Sequence, residues 1–108
     1  MAQAKADAPA AEMTASQENA VASAQDYLDF SAFSKKGLQE QLVFEDYSAK
    51  DAQYAVNHVD VDWNQQAVAS ATDYLDMSSF SKQALIEQLE FEGFTTAQAT
   101  YGANQACK

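Results

Sequence analysis

Residues 20–57 recur without a gap as residues 67–104, so that two similar copies lie 47 positions apart. Of the 38 aligned positions, 22 carry the same residue in both copies. A gapless repeat of this length is typical of helical arrays, in which each copy is one supersecondary unit that needs a neighbour to bury its apolar face. The repeat therefore predicts two copies of one small fold and favours a helical array over an enzyme.

Apolar spacing predicts three short helices in each copy. Val21, Ala24 and Leu28 form one stripe on a first helix over about residues 16–29, and the second copy repeats the stripe. Leu38 and the leucine one turn after it mark the second helix, and both leucines recur 47 positions later in the second copy. A third helix follows in each copy and ends the unit.

Serines and a turn residue define the ends of the second helix. Ser34 and Ser81 are suited to cap its N-terminus, since a serine oxygen accepts from the free amides of the first turn. Asp46 and Gly93 occupy the middle of the following turn, where both residue types tolerate a left-handed backbone.

Two features of the third helix and the junction stay open at the sequence level. The third helix of the first copy has two competing apolar faces, one formed by Ala52, Ala55, Val56 and Val59 and the other by Tyr54, His58 and Val61. The junction over residues 57–64 contains no proline or glycine, which favours a helix that runs on into the second copy. Asp62 is the alternative, an N-cap that would end that continuity.

The predicted fold is all-α, a tandem repeat of two small three-helix, helix-turn-helix-like units joined by a mostly helical linker. The predicted domains are a disordered leader or spacer over residues 1–15, a first repeat over residues 16–61 and a second repeat over residues 62–108. The leader is small, polar and alanine-rich, a composition that buries too little surface to order itself.

Charge excludes one large class of function. The chain has 16 acidic and 6 basic residues, a net charge of −10, and none of the bases is arginine. Residues 16–61 hold eight acids and three lysines, and residues 62–108 hold six acids and two lysines, so both repeats are acidic. Nucleic-acid binding depends on basic side chains against phosphate, so we expect no nucleic-acid partner and a basic partner instead.

The sequence contains no constellation that points to catalysis or to a cofactor. His58 is the one histidine, the three glycines are isolated and form no phosphate loop, and the carboxylates lack the spacing of a calcium loop. Cys107 is the one cysteine, so an internal disulfide is impossible. We predict no catalytic, metal-binding or cofactor-binding residues, and a binding protein that is a monomer.

Carboxylates recur on the outward faces of the predicted helices. Asp26 and Asp29 are three residues apart on the first helix and share part of a face, as do their counterparts in the second copy. Such a face is either simply solvated or an acidic binding surface. The candidate partner-binding residues, called the acidic set below, are Asp26, Asp29, Glu40, Asp73, Asp76, Glu87 and Glu90.

Three stretches of the second copy, residues 74–81, 85–95 and 99–101, resemble the repeat of the host cell surface-exposed lipoprotein (Ltp) family. This family is known from prophages of Gram-positive bacteria, including those of temperate streptococcal phages. The shared pattern is a Tyr-Leu pair followed by Phe-Ser, then Glu-Gln-Leu and an aromatic-Glu-Gly-aromatic turn. The first copy departs at Asp46, where glycine is usual, and the second at Gly102, where alanine is usual. The resemblance covers about residues 16–107.

The resemblance implies a function that the composition alone does not. Family members take part in superinfection exclusion, in which a lipoprotein displayed by a lysogen stops an incoming phage from injecting its DNA. It also implies a signal peptide and a lipid-anchored cysteine, so we expect this chain to be the soluble part of a protein on the outer face of the cell membrane. We hypothesise that the partner is the phage tape measure protein or another injection protein, and that the acidic set, inferred from the helix faces and not from the family, holds it.

The sequence leaves two alternatives open. The repeats could form a general cell-surface protein-binding module with no role against phage. They could also form a cytosolic acidic mimic of DNA, with carboxylates in the place of phosphates.

Overall fold

The computed structural model describes residues 13–107, which form six α-helices and no strand. The first repeat contains α1 (Ala15–Phe30), α2 (Lys35–Phe44) and α3 (Ala49–His58), and the second contains α4 (Trp63–Met77), α5 (Lys82–Phe91) and α6 (Thr96–Ala106). The predicted all-α fold with three helices in each copy is confirmed. The predicted leader over residues 1–15 lies almost entirely outside the described residues.

Two leucines of α2 fill the centre of the first repeat. Leu38 and Leu42 are fully buried, one turn apart, between α1 and α3. The faces of α1 and α3 that meet beside them are lined by small residues such as Ala24 and Ala55, so these two helices approach closely. In the second repeat Leu85 and its partner one turn later play the same part between α4 and α6.

The third helix buries the face that contains Ala52, Ala55, Val56 and Val59. Tyr54 lies half-buried to one side of this face and stacks on the ring of His58, with ring centroids 3.9 Å apart. The structure thereby decides between the two faces that the sequence left open.

Close helix contact explains the glycine of α6. A Cβ atom on Gly102 would lie 2.7 Å from both the carbonyl carbon and the carbonyl oxygen of Ala67 on α4. Such a contact is far shorter than van der Waals distance, so only glycine fits without moving one helix. The corresponding residue of the first repeat is Ala55, which means that the two repeats share a fold but differ in the approach of their first and third helices.

Capping follows the sequence prediction. The Ser34 hydroxyl accepts a hydrogen bond from the Gly37 amide at 2.9 Å, and the Ser81 hydroxyl accepts one from the Ala84 amide at 3.1 Å. The turn that ends the second helix of each repeat contains a residue in the left-handed region, Asp46 at φ 76° or Gly93 at φ 109°.

The predicted helical linker is wrong. α3 ends at His58, Val59 is extended, and α4 begins only after Asp62, whose carboxylate accepts from two amides in the first turn of that helix at 2.9 and 3.2 Å. The physical reason is that Val59, Val61 and Trp63 fold back onto the core of the first repeat. A continuous helix would carry these apolar side chains away from that core.

The repeats have separate cores and meet through a narrow junction, in a molecule with extents of 53 × 23 × 19 Å. The Ser34 hydroxyl donates to the backbone oxygen of Glu92 at 2.6 Å, and the Phe33 amide donates to the Gln66 side-chain oxygen at 3.0 Å. A Cβ on Gly93 would lie 2.7 Å from the Ser34 oxygen, so the glycine permits this contact. Ser34 therefore caps α2 and joins the two repeats.

The equivalence of Ser34 and Ser81 allows the junction to be tested by matched substitutions. Ser81→Ala removes only an N-cap and should lower the free energy of unfolding by about 1 kcal/mol. Ser34→Ala removes the N-cap and the hydrogen bond to Glu92, and should cost about 1 kcal/mol more. Urea unfolding followed by circular dichroism measures both. Equal losses would show that the hydrogen bond between repeats contributes nothing to stability.

Candidate functional site

The acidic set is spread over four helices and both repeats. Asp26 and Asp29 lie on α1, Glu40 on α2, Asp73 and Asp76 on α4, and Glu87 and Glu90 on α5. Six of the seven side chains are exposed, and Glu90 is half-buried. Glu90 accepts a hydrogen bond from the Thr96 hydroxyl at 2.7 Å, which gives it a structural role at the start of α6.

The other hydrogen bonds of this set join carboxylates to neutral side chains. The Gln25 amide donates to Asp29, and the Gln83 amide donates to Glu87, both at 3.2 Å. A neutral donor orients a carboxylate but leaves its negative charge in place. The six exposed members of the acidic set therefore present their charge to solvent.

Two acids of the set are placed against the helix dipoles. Asp29 and Asp76 lie in the last turns of α1 and α4, where the dipole is negative, and the last turns of α1, α2, α4 and α5 contain no base. The lysines of the described residues lie in first turns, as Lys35 and Lys82 do in α2 and α5. Helix stability favours the opposite arrangement, so it does not account for the positions of Asp29 and Asp76.

Large apolar side chains are exposed at equivalent positions of both repeats. Phe30 is 89% exposed and its counterpart Met77 is 74% exposed, while Phe44 is 79% exposed and its counterpart Phe91 is 85% exposed. Each is the last residue of its helix, and each follows a member of the acidic set by four residues, which places the acid and the apolar residue on the same helix face. The repeat thus displays acidic and apolar groups together, twice in each copy.

A groove runs between the two repeats and belongs to neither alone. Two adjoining depressions form it, and they share Ser31, Ala32 and Asp73. We call this the inter-repeat groove; its other lining residues are Leu28, Asp29 and Phe30 from the first repeat and Gln66, Ala69, Ser70, Tyr74, Met77 and Glu92 from the second. Phe30 and Met77, the exposed ends of α1 and α4, are therefore lining residues of the same groove.

Glu92 is held in this groove by Tyr74. The Tyr74 hydroxyl donates a hydrogen bond to the Glu92 carboxylate and accepts one from the Gln88 amide at 3.2 Å. Burial raises the pKa of the Tyr74 hydroxyl above its ordinary value, and the hydrogen bond to Glu92 raises that pKa further. The Tyr74 hydroxyl thereby fixes the position of the Glu92 carboxylate.

The sequence predicted part of this arrangement. Asp29 and Asp73 were expected to face outward, and the structure brings them into one groove from different repeats. Phe30, Met77 and Glu92 were missed as site residues. The available signal was that Phe30 and Met77 are large apolar residues at repeated positions off the buried stripe of their helices.

Residues 13–107 offer neither a metal site nor a membrane span. No three potential ligands among histidine, cysteine, aspartate and glutamate are grouped there in a way that could hold a metal ion. The helices in this range are all too short or too polar to span a bilayer.

Comparison with known proteins gives two matches and one absence. The family model described as host cell surface-exposed lipoprotein matches residues 15–59 and again residues 62–105. Among solved structures, Ltp, a superinfection exclusion protein from the Streptococcus thermophilus temperate phage TP-J34, is similar with a TM-score of 0.81 and 35% sequence identity. That match covers 86% of this chain and 97% of the other. None of the curated proteins matches the sequence.

Placement of acids against the helix dipole predicts an unusual response to charge reversal. Asp76→Lys puts a cation at the C-terminal end of α4 and should raise the melting temperature by roughly 2–4 °C. Asp51→Lys makes the same charge change in the first turn of α3, where an acid is favourable, and should lower it by a similar amount. Thermal unfolding at low salt measures both. A lower melting temperature for Asp76→Lys would contradict this electrostatic account of α4.

Proposed function

The chain belongs to the family of host cell surface-exposed lipoproteins, and we propose that it acts in superinfection exclusion. In this role the protein is displayed on the outer face of a lysogen's membrane and prevents a second phage from delivering its DNA. The observation that carries the proposal is the similarity to Ltp of phage TP-J34, which extends over 97% of that chain at 35% identity. The likeness covers both repeats, so it concerns the whole described fold.

We further propose that exclusion works by capture of a protein that the incoming phage uses for injection, such as its tape measure protein. The net charge of −10 and the exposed acidic set favour a basic or amphipathic segment as the captured element. The set recurs in both repeats, which allows two contacts to the same partner. Two linked contacts bind more tightly than one because the second is intramolecular.

The family description, host cell surface-exposed lipoprotein, supports a site of action at the cell surface. A lipid anchor would hold the repeats close to the membrane, where an injection protein arrives after leaving the phage tail. Affinity can then be moderate, because anchoring raises the local concentration of the repeats at the place where injection occurs.

Charge reversal in the second repeat tests the role of the acidic set. Asp73, Asp76, Glu87 and Glu90 changed together to Lys should abolish exclusion, since the surface would repel a basic segment instead of attracting it. The measurement is the plating efficiency of a sensitive phage on cells that display the anchored protein. Circular dichroism checks that helical content is retained.

A second variant with the same net charge serves as the control. It combines Glu45→Lys and Asp60→Lys with four lysine substitutions of neutral residues, all at exposed positions outside the acidic set: Gln53, Asn57, Asn104 and Gln105. Exclusion should persist in this control. Unchanged exclusion in the first variant would contradict capture by the acidic set, and equal loss in both would assign the effect to net charge alone.

A further inference from the structure

The inter-repeat groove combines features that neither repeat has by itself. Phe30 contributes from the end of α1 and Met77 from the end of α4, and Ala32 and Asp73 line both of its depressions. We propose that this groove is a docking site for a cationic amphipathic segment of a partner protein. The proposal rests on the proposed function and deepens it, because it names the place and the chemistry of capture.

Phe30 and Met77 give the groove its exposed apolar surface. Both side chains are more than 70% exposed, at 89% and 74%, although each repeat is small and has few large apolar residues to spare for its core. Exposed apolar side chains beside a groove are typical of a surface that is covered by a partner. An apolar side chain of the partner that contacts Phe30 and Met77 would remove their surface from water.

Carboxylates make the inter-repeat groove negatively charged. Asp29, Asp73 and Glu92 line it, and none of the residues that line its two depressions is basic. Tyr74 fixes the Glu92 carboxylate, so at least one of these charges is held in place before a partner binds. Lysine or arginine side chains beside an apolar residue complement such a groove, whereas an anionic lipid surface would be repelled.

The groove is also held in a defined shape. The hydrogen bonds from Ser34 to the Glu92 backbone and from the Phe33 amide to Gln66 join the repeats directly beside it. Preformed geometry lowers the entropic cost of binding, because the walls need not be ordered by the partner. The requirement for both walls gives a physical reason for a two-repeat chain.

Two helical peptides of equal length and charge test this proposal with the purified chain. One is a lysine–leucine amphipathic peptide and the other a lysine–alanine peptide, and calorimetry measures their dissociation constants. The chain should bind the lysine–leucine peptide more tightly. The double substitution Phe30→Ser with Met77→Ser should weaken lysine–leucine binding about tenfold, since apolar burial is lost, and leave lysine–alanine binding unchanged.

The matched control is Phe44→Ser with Phe91→Ser, which removes two equally exposed side chains that do not line the groove. This control should retain lysine–leucine binding. Equal affinity for the two peptides, or equal weakening by both double substitutions, would overturn the groove as the docking site.

Lipid or a second copy of the chain in the inter-repeat groove would give results that differ from those expected for a peptide. Binding of the chain to phosphatidylcholine vesicles that is lost with Phe30→Ser and Met77→Ser would assign the groove to lipid, and dimerisation with the same dependence would assign it to a second copy. Either result overturns the proposal. Peptide binding in the groove by a chain that gives no exclusion on cells would contradict the proposed function and support the groove.

Discussion

Each repeat depends on burying two leucines of its second helix between the alanine-rich faces of its first and third. Leu38 and Leu42, and the equivalent pair in the second repeat, are fully buried, and few other large side chains are. A core this small leaves little margin, which is why single close contacts matter, such as that of Gly102 against Ala67. It also makes the exposure of Phe30, Met77, Phe44 and Phe91 hard to explain by folding alone.

Two features of the surface do not follow from the stability of the fold. Asp29 and Asp76 lie at the negative ends of their helices, and large apolar residues lie in water one turn beyond acids. A basic amphipathic partner would relieve both features at once, since it brings cations to the acids and apolar surface to the phenylalanines. The narrow junction between the repeats holds Asp29 of one repeat and Asp73 of the other at a single groove.

How well the sequence predicts this structure depends on how far apart along the chain the interacting residues lie. Helices, serine caps and left-handed turns are set by neighbours along the chain, and those predictions hold at Ser34, Ser81, Asp46 and Gly93. The linker prediction failed because tertiary packing of Val59 and Val61 on the first core outweighs local helix propensity. The inter-repeat groove could not be predicted, since it depends on how Ser34 meets Glu92 across 58 positions of sequence.

The central claim is that a surface-displayed chain intercepts injection after the phage has attached. The most direct measurement follows phage adsorption and DNA entry in the same culture of cells that display the anchored protein. The account predicts that phage adsorb at the rate seen on cells without the protein, and that their DNA fails to enter. Reduced adsorption would contradict it, because the protein would then mask a receptor instead of capturing an injection protein.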